Sequence, residues 1–215
     1  MIADIPSTPT HGPVSDSSVT NGSRIKITYS EPASGGSVLT NLEIMVDDGF
    51  GDGFKTVAGG SIGTYLQTFA LLSSNVSDGG IFTQINRGNV YRFKYRAQNI
   101  IGWSDFSPIT YIQAASIPKA PSPVTLVSTT STTITINIGA CFDNGGSVII
   151  SYSLYRDDGT QTANFVSVTE GLQFGIFTAT GLTPGRLYFF KTTAINSIGE
   201  SEFSTEDGFY AADAP

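Results

Sequence analysis

The chain has 215 residues with a net charge of −7, and its 40% apolar and 13% charged residues indicate a globular protein rather than a disordered one. The acidic balance argues against a nucleic-acid partner, because phosphate binding requires clustered lysine and arginine. Thr, Ser, Gly, Val, Ile, Phe and Tyr dominate, which favours strands and tight turns, and no apolar run reaches the ~18 residues of a membrane span. We therefore expect an all-β chain without a transmembrane segment.

The single cysteine, Cys141, excludes an intrachain disulfide. Such a residue is usually a small buried hydrophobe, and an inter-chain bridge is the alternative. The N-terminus, Met1 to Pro6, has neither a basic nor an apolar signal region. Any signal peptide would therefore lie outside this chain or have been removed.

Much of the first half of the sequence recurs in the second. The matched blocks are SGGSV at 34–38 and NGGSV at 144–148, DDG at 47–49 and at 157–159, and the Tyr-to-Ser stretches at 91–107 and 188–204. The offset is 110 for the first two pairs and 97 for the third, so the first half carries 13 extra residues between Asp48 and Tyr91. A repeat of this length predicts two domains of one fold, residues 1–116 and 117–215.

Short Ala/Pro strings flank the repeats. Ala114–Pro118 resembles Ala211–Pro215, and Ala3–Pro6 reads similarly. Chance similarity is one explanation. Our preferred interpretation is a linker signature, with a further module expected after Pro215.

Period-two alternation predicts the strands in chain order. Apolar and polar residues alternate along Arg24–Tyr29, Leu42–Val46 and Tyr91–Gln98, and again along Thr133–Ile138 and Tyr152–Tyr155. Several short strands per ~100 residues, separated by regular turns, are typical of a β-sandwich.

The acidic loop Asp47–Gly53 offers carboxylate oxygens of the kind that Ca²⁺ prefers, from Asp47, Asp48 and Asp52. It lacks a closing glutamate, and Asp-Gly pairs are ordinary hairpin turns. We therefore expect no metal or other cofactor and keep these three residues as the weaker alternative.

The longest difference between the repeats lies between Gly59 and Gly80, around Ala70–Asn75. Its apolar residues, including Phe69, Leu71 and Leu72, predict either a longer strand pair that covers the domain's own core or a contact surface for another module or chain.

Arg92, Lys94 and Arg96 form a basic stripe on one predicted strand. Glu43 and Asp47 lie on a strand that should pair with it, so cross-strand ion pairs explain the stripe, and a ligand-binding face is the alternative. The stretch Trp103–Ser107 is similar to the Trp-Ser-x-Trp-Ser box of cytokine receptors, in which aromatic rings stack against arginines. The chain lacks the paired cysteines of those receptors, so we interpret the stretch as a structural entry to the last strand.

Catalytic residues are not evident. The only histidine, His11, and the only thiol, Cys141, fall in different predicted domains, so they cannot form a nucleophile–base pair within one domain. No phosphate loop or zinc-binding cluster occurs. We expect a protein that is not an enzyme.

Two N-glycosylation sequons begin at Asn21 and Asn75. They are compatible with secretion, although a chain rich in Asn, Ser and Thr acquires such triplets by chance.

The stretch Gly181–Ser201 resembles the region from strand E to strand G of fibronectin type III domains, with its Leu-x-Pro-Gly turn, Tyr, Ala-x-Asn and Gly-x-Ser. Residues 85–104 repeat much of it. The resemblance implies two immunoglobulin-like, seven-stranded β-sandwiches in tandem. It also implies that Tyr91 and Tyr188 are buried corner tyrosines and that Gly102 and Gly199 adopt positive φ. The family's usual strand-B tryptophan is absent, with Tyr29 and Ile138 in its place.

This resemblance implies structural and recognition modules of an extracellular or cell-surface protein, acting as a spacer and in adhesion, with proteins as partners. The alternatives are an intracellular cytoskeletal array and a calcium-dependent adhesin.

Overall fold

The computed structural model describes residues 2–51, 53–59, 68–72, 85–160 and 164–213, with the backbone alone for 68–72. The chain divides into two compact units, Met1–Ser116 and Ile117–Pro215. The described residues of each unit form seven strands and no helix, which confirms the predicted fold class. No helix in the described ranges is long and apolar enough to cross a membrane.

The first unit has two antiparallel sheets, ordered β1-β2-β5 and β4-β3-β6-β7. The strands are β1 (Val14–Ser15), β2 (Arg24–Thr28), β3 (Asn41–Val46), β4 (Lys55–Ala58), β5 (Thr68–Leu72), β6 (Val90–Gln98) and β7 (Thr110–Gln113).

Strand β6 shows why the two faces of this unit differ. Tyr91, Phe93, Tyr95 and Ala97 are at most 1% exposed, whereas the alternate residues of the strand are half-buried or exposed. Successive side chains of a strand point to opposite faces, so this alternation places four apolar side chains in the core. The three cations at 92, 94 and 96 therefore lie on the outer face of the sheet.

The second unit repeats the arrangement with sheets ordered β12-β9-β8 and β11-β10-β13-β14. The strands are β8 (Thr125–Thr129), β9 (Ile134–Ile138), β10 (Ile149–Arg156), β11 (Val166–Leu172), β12 (Gly175–Ala179), β13 (Leu187–Asn196) and β14 (Asp207–Tyr210). Its core includes Ile134, Ile136, Leu154 and Phe190, all fully buried.

An asparagine ties together the loops at one end of each unit. In the first unit the Asn99 amide nitrogen donates to the carbonyl oxygens of Asp4 and Ser34, at 2.6 and 2.8 Å, while its oxygen accepts from the backbone of Ile101 and Gly102. Asn196 accepts from the equivalent turn in the second unit and donates to Asn144. Because these bonds satisfy backbone groups that no strand pairs, they explain the recurrence of the asparagine.

The repeated linker signature also has a structural reason. A Cβ atom added to Gly102 would lie 3.3 Å from Cγ2 of Ile5, and one added to Gly199 would lie 3.1 Å from Cγ2 of Ile117. In each unit, the isoleucine directly before the first proline therefore packs over the turn glycine. The expected positive φ is found at Gly199, at 157°, and was wrong for Gly102, where close packing is the observed constraint.

Candidate interaction surface

On the outer face of the four-stranded sheet of the first unit, three cations alternate with three aromatic rings. We call this set, Phe54, Arg92, Lys94, Arg96, Trp103 and Phe106, the outer stack. Lys94 lies at its centre, with Nζ 4.4 Å from the ring centroid of Phe54 and 4.2 Å from that of Phe106. A cation over a ring face is attracted by the negative π surface.

Arg96 occupies the next gap, and its guanidinium carbon is 4.6 Å from the Trp103 centroid and 4.5 Å from the Phe106 centroid. Its Nε also donates to Oε2 of Glu43 on the neighbouring strand, at 2.6 Å. The structure thus joins two features that the sequence presented separately, the basic stripe and the Trp103–Ser107 box.

Arg92 closes the other end of the outer stack, 5.2 Å from the Phe54 centroid. Its Nε and its backbone N–H donate to the two carboxylate oxygens of Asp47, at 2.7 and 2.8 Å. Cross-strand ion pairs between the basic stripe and Glu43 and Asp47, as expected from the sequence, are therefore present, and the structure pairs Arg92 with Asp47 and Arg96 with Glu43.

The second unit contains a shorter version of the same arrangement. Nζ of Lys191 lies 3.9 Å from the Phe165 centroid and 4.1 Å from the Phe203 centroid. The Phe203 ring in turn meets Tyr155 edge-on, at 5.0 Å and 88°. Each unit therefore holds one lysine between two phenylalanines.

The serines of the box extend the sheet where β7 separates from β6. Oγ of Ser104 accepts from the Ala97 backbone N–H and donates to the carbonyl of Asp105. Oγ of Ser107 accepts from the Tyr95 N–H. Each hydroxyl supplies the acceptor that a paired strand would have provided.

Ser201 and Ser204 do the same for Ala194 and Thr192 in the second unit. The two serines of each repeat are thus structural residues of the sheet, which explains why they recur without the tryptophan.

Tyr91 and Tyr188 occupy equivalent corners. Tyr91 is fully buried and its hydroxyl oxygen accepts from the Asn86 backbone N–H at 2.8 Å. Tyr188 is 4% exposed and accepts from the Thr183 N–H at 3.0 Å. In both cases the hydroxyl satisfies a backbone donor five residues upstream, while the ring fills the core.

The acidic loop of the first unit is held by the protein itself. Asp47 is 1% exposed, and both of its carboxylate oxygens are occupied by Arg92. Oδ1 of Asp48 accepts from the Phe50 N–H in a local turn. Asp52 lies outside the described residues. Across the described ranges, no group of three or more His, Cys, Asp or Glu residues is arranged to hold a metal ion.

The buried aspartate of the second unit differs in one respect. Oδ1 of Asp157 accepts from the Phe189 N–H, but Phe189 stands where the first unit has Arg92. Oδ2 of Asp157 is buried and has no hydrogen-bond partner among the described residues.

The remaining sequence candidates are not among the residues of the outer stack. The Asn21 side chain folds back onto Ser23, accepting from its N–H and its hydroxyl. Asn75 and most of the 59–80 extension lie outside the described residues. Cys141 is half-buried, and its thiol donates to the carbonyls of Lys119 and Asp143 at 3.1 and 3.2 Å.

A small cleft in the first unit includes the only histidine. Its volume is about 150 Å³, and it is lined by residues 7–11, residues 30–33 and Tyr95. Sites for small molecules usually enclose ~300–1,000 Å³. This cleft is therefore too small to be a typical substrate or cofactor pocket.

Sequence reasoning missed the two phenylalanines that complete the lysine sites, Phe54 and Phe165. Each lies in a loop, directly before the first residue of a strand, β4 or β11. The alternation of apolar residues that predicts strands does not extend into these loops. Only a comparison of the two loops could have indicated them, since each loop that follows an Asp-Asp-Gly turn ends with a phenylalanine directly before the next strand.

Comparison with known proteins identifies the fold of the second unit directly. The fibronectin type III domain profile matches residues 119–206. Human Myomesin-2 is 30% identical over 135 residues, which is 60% of this chain and 9% of Myomesin-2. The chain therefore spans a small part of that relative.

Among solved structures, a multidomain fragment of titin aligns with 95% of this chain and 62% of its own length, with a TM-score of 0.53 and 18% identity. The FN1–FN3 domains of chicken CNTN1 align with 97% of this chain and 67% of their own length, with a TM-score of 0.43 and 17% identity. The titin likeness supports the fold.

Fibronectin type III domains are structural and protein-interaction modules, and the family is generally non-catalytic. The profile match covers the second unit, and the first repeats its strand order, corner tyrosine, turn asparagine and paired serines. The second unit is therefore a fibronectin type III domain, and the first unit repeats its architecture in tandem.

Proposed function

We propose that this chain is a non-enzymatic spacer and protein-recognition segment of a larger extracellular or cell-surface protein. The observation that best supports this proposal is that the same stabilising contacts occur in both units. Each unit has its own buried core, its own corner tyrosine and its own serine hydroxyls that accept hydrogen bonds along its longest strand, which is β6 in the first unit and β13 in the second. We expect a unit with all of these features to fold without a partner, which is what a spacer module requires.

The outer stack supports the structural part of the proposal. It spans residues from the β4 side of the sheet to the segment before β7, so it fastens three chain segments on the solvent side of the core. Each well-placed cation–π contact contributes about 0.5–1 kcal/mol at an exposed site. Its cations already contact aromatic rings or carboxylates of the same unit, so this face is better suited to stabilising the domain than to binding a partner.

Mechanical unfolding tests the spacer function. When one molecule of residues 1–215 is stretched between its ends, we expect two separate unfolding events. Each should release roughly 30 nm of chain, the extended length of about 100 residues less the folded span. A single event releasing the whole chain at once would show that the units do not act as independent spacers.

The placement outside the cell is tested on the parent protein. An antibody against residues 117–215 should stain intact cells or their surrounding matrix. Staining that requires permeabilised cells would favour the alternative, an intracellular cytoskeletal array with Cys141 reduced.

The calcium-dependent adhesin is tested by thermal unfolding. We expect the same midpoint with excess Ca²⁺ and with a chelator, because only a ligand that binds the native state raises it. Both Asp47 oxygens would have to leave Arg92 to reach a cation. A calcium-dependent rise of several degrees that disappears in Asp47→Asn would support the adhesin.

A further inference from the structure

One sheet of the second unit carries no charge on any strand. Strands β8, β9 and β12, which form it, contain no Asp, Glu, Lys, Arg or His. In the first unit, the strand equivalent to β9 is β2, the central strand of its three-stranded sheet. Strand β2 carries Arg24 and Lys26, and Lys26 forms an ion pair with Asp16 at 2.9 Å. Since both sheets serve the same fold, the fold itself does not require the uncharged surface.

Strand β12 is an edge of this sheet and pairs only with β9. No described residue hydrogen-bonds to the backbone of Gly175–Ala179 from the opposite side. An unpaired edge offers a row of N–H and C=O groups to any extended segment that approaches it. Ile176 and, just before the strand, Phe174 are 71% and 67% exposed beside that row.

Most edges in the protein are protected, whereas β12 is not. Natural edges are usually blocked by charges, prolines, bulges, short length or a covering segment. Charged residues lie on the edge strands β4, β11 and β14, namely Lys55, Glu170 and Asp207, and β11 also has an irregular register. Strand β1 has only two residues, and β7 follows Pro108. Residues 212–213 cover the end of β8. The side chains of β5 are outside the described residues.

Between Gly171 and Thr183 there is neither a charge nor a proline, so β12 has none of these protections. Its pairing with β9 is regular over five consecutive residues.

We propose that β12 pairs, antiparallel and edge to edge, with β12 of a second copy of this chain. A twofold axis places identical strands antiparallel, so both copies supply the same donors and acceptors. With Phe177 at the axis, Ile176 of each copy lies opposite Thr178 of the other, a β-branched pair of the kind that stabilises sheets. The result is a continuous six-stranded sheet.

The charge distribution makes a second copy a suitable occupant of this edge. Each chain carries a net charge of −7, so most surfaces repel one another when two copies meet. The β12 edge brings together two sheets without formal charge, and no register of the pairing opposes like charges. A strand pair buries less than the ~1,200 Å² of a stable interface, so the dimer should be weak, with a dissociation constant of about 10⁻⁴ M.

The primary test is sedimentation velocity of the full chain from about 10 µM to 1 mM, a range that brackets such a dissociation constant. We expect a concentration-dependent shift from monomer to dimer. Ile176→Lys should weaken the association by about tenfold or more, because an edge lysine blocks strand pairing. Since Ile176 is largely exposed, this variant should fold, which its thermal midpoint will check.

The matched control is Asn137→Lys. Asn137 is exposed on β9 directly beside Ile176, so it adds the same charge to the same face but away from the edge. Edge pairing predicts that this variant still dimerises. If both variants lose dimerisation equally, edge pairing is wrong and the outer faces of the two sheets stack instead.

Hydrogen exchange locates the contact. At high concentration the outward-facing amides of 175–179 should become protected in the wild type and not in Ile176→Lys. A synthetic peptide of residues 173–181 should compete with dimer formation. A chain that stays monomeric at 1 mM, including one that binds the peptide, overturns the proposal of a second copy as occupant.

Discussion

At the scale of single residues, Tyr91 and Tyr188 show how one side chain can serve two purposes. The ring fills the core and the hydroxyl satisfies a backbone N–H that would otherwise be buried without a partner. Losing the ring and losing the hydroxyl should therefore have separable costs.

Tyr188→Ala should lower the free energy of unfolding of the second unit by about 3–5 kcal/mol, as removal of a buried aromatic ring does. Tyr188→Phe removes only the bond to Thr183 and should cost about 1–2 kcal/mol. Urea denaturation of residues 117–215 measures both. Tyr210→Ala is the control, because Tyr210 is 59% exposed. A loss under about 1 kcal/mol for Tyr188→Ala would contradict a core role.

Burial raises the pKa of Tyr29, Tyr91 and Tyr95 in the first unit above the ordinary value of 10.0. The neutral phenol is therefore favoured in the folded state, and its contribution to stability is fully present below pH 10. That contribution is lost as the pH rises from about 10 through the folded-state pKa values. We expect residues 1–116 to lose stability steeply above about pH 10.

The thermal midpoint between pH 8 and 12 measures this loss. Tyr95→Phe removes one titrating hydroxyl, which donates to the Ser30 carbonyl at 2.8 Å. The variant should be less stable at pH 8 but lose less on going to alkaline pH. A midpoint that is flat with pH in the wild type would contradict the argument.

Among the strands, the most informative feature is how β6 and β13 are completed. The last strand of each domain, β7 or β14, pairs with only four residues of its neighbour. Beyond those residues, serine hydroxyls accept hydrogen bonds from backbone N–H groups of β6 and β13 that the last strand does not reach. A buried donor without a partner costs about 1–3 kcal/mol, so each serine should matter individually.

Ser204→Ala tests this on β13. It leaves the Thr192 N–H buried without its acceptor and should lower the free energy of unfolding by about 1–3 kcal/mol. Thr205→Ala, at an exposed neighbouring position, should change it by less than about 0.5 kcal/mol. Denaturant unfolding of residues 117–215 compares the two. Equal effects would show that the hydroxyl bond is dispensable.

For the whole molecule, each compact unit has its own buried core and its own pair of sheets. Residues 1–116 and 117–215, expressed separately, should each unfold cooperatively, because a sandwich of ~100 residues buries enough surface to fold alone. Calorimetry of each fragment checks this. If neither fragment shows a cooperative transition, the division into independent domains is wrong.

The sequence by itself was enough for the fold class, the repeat and the strand cores. Period-two alternation over segments such as Arg24–Tyr29 and Tyr91–Gln98 is a local signal, because it depends only on which face of a strand is buried. The ion pairs of the basic stripe were also predictable, since register follows from which residues face the core.

The tertiary structure alone decided how separate segments meet. Phe54 and Phe165 reach their lysines from loops, and loop conformation follows from packing rather than from periodicity. The Ile5–Gly102 packing likewise joins residues far apart in sequence. The unprotected edge of β12 became visible only with the strand order, because pairing partners depend on long-range contacts that no local pattern encodes.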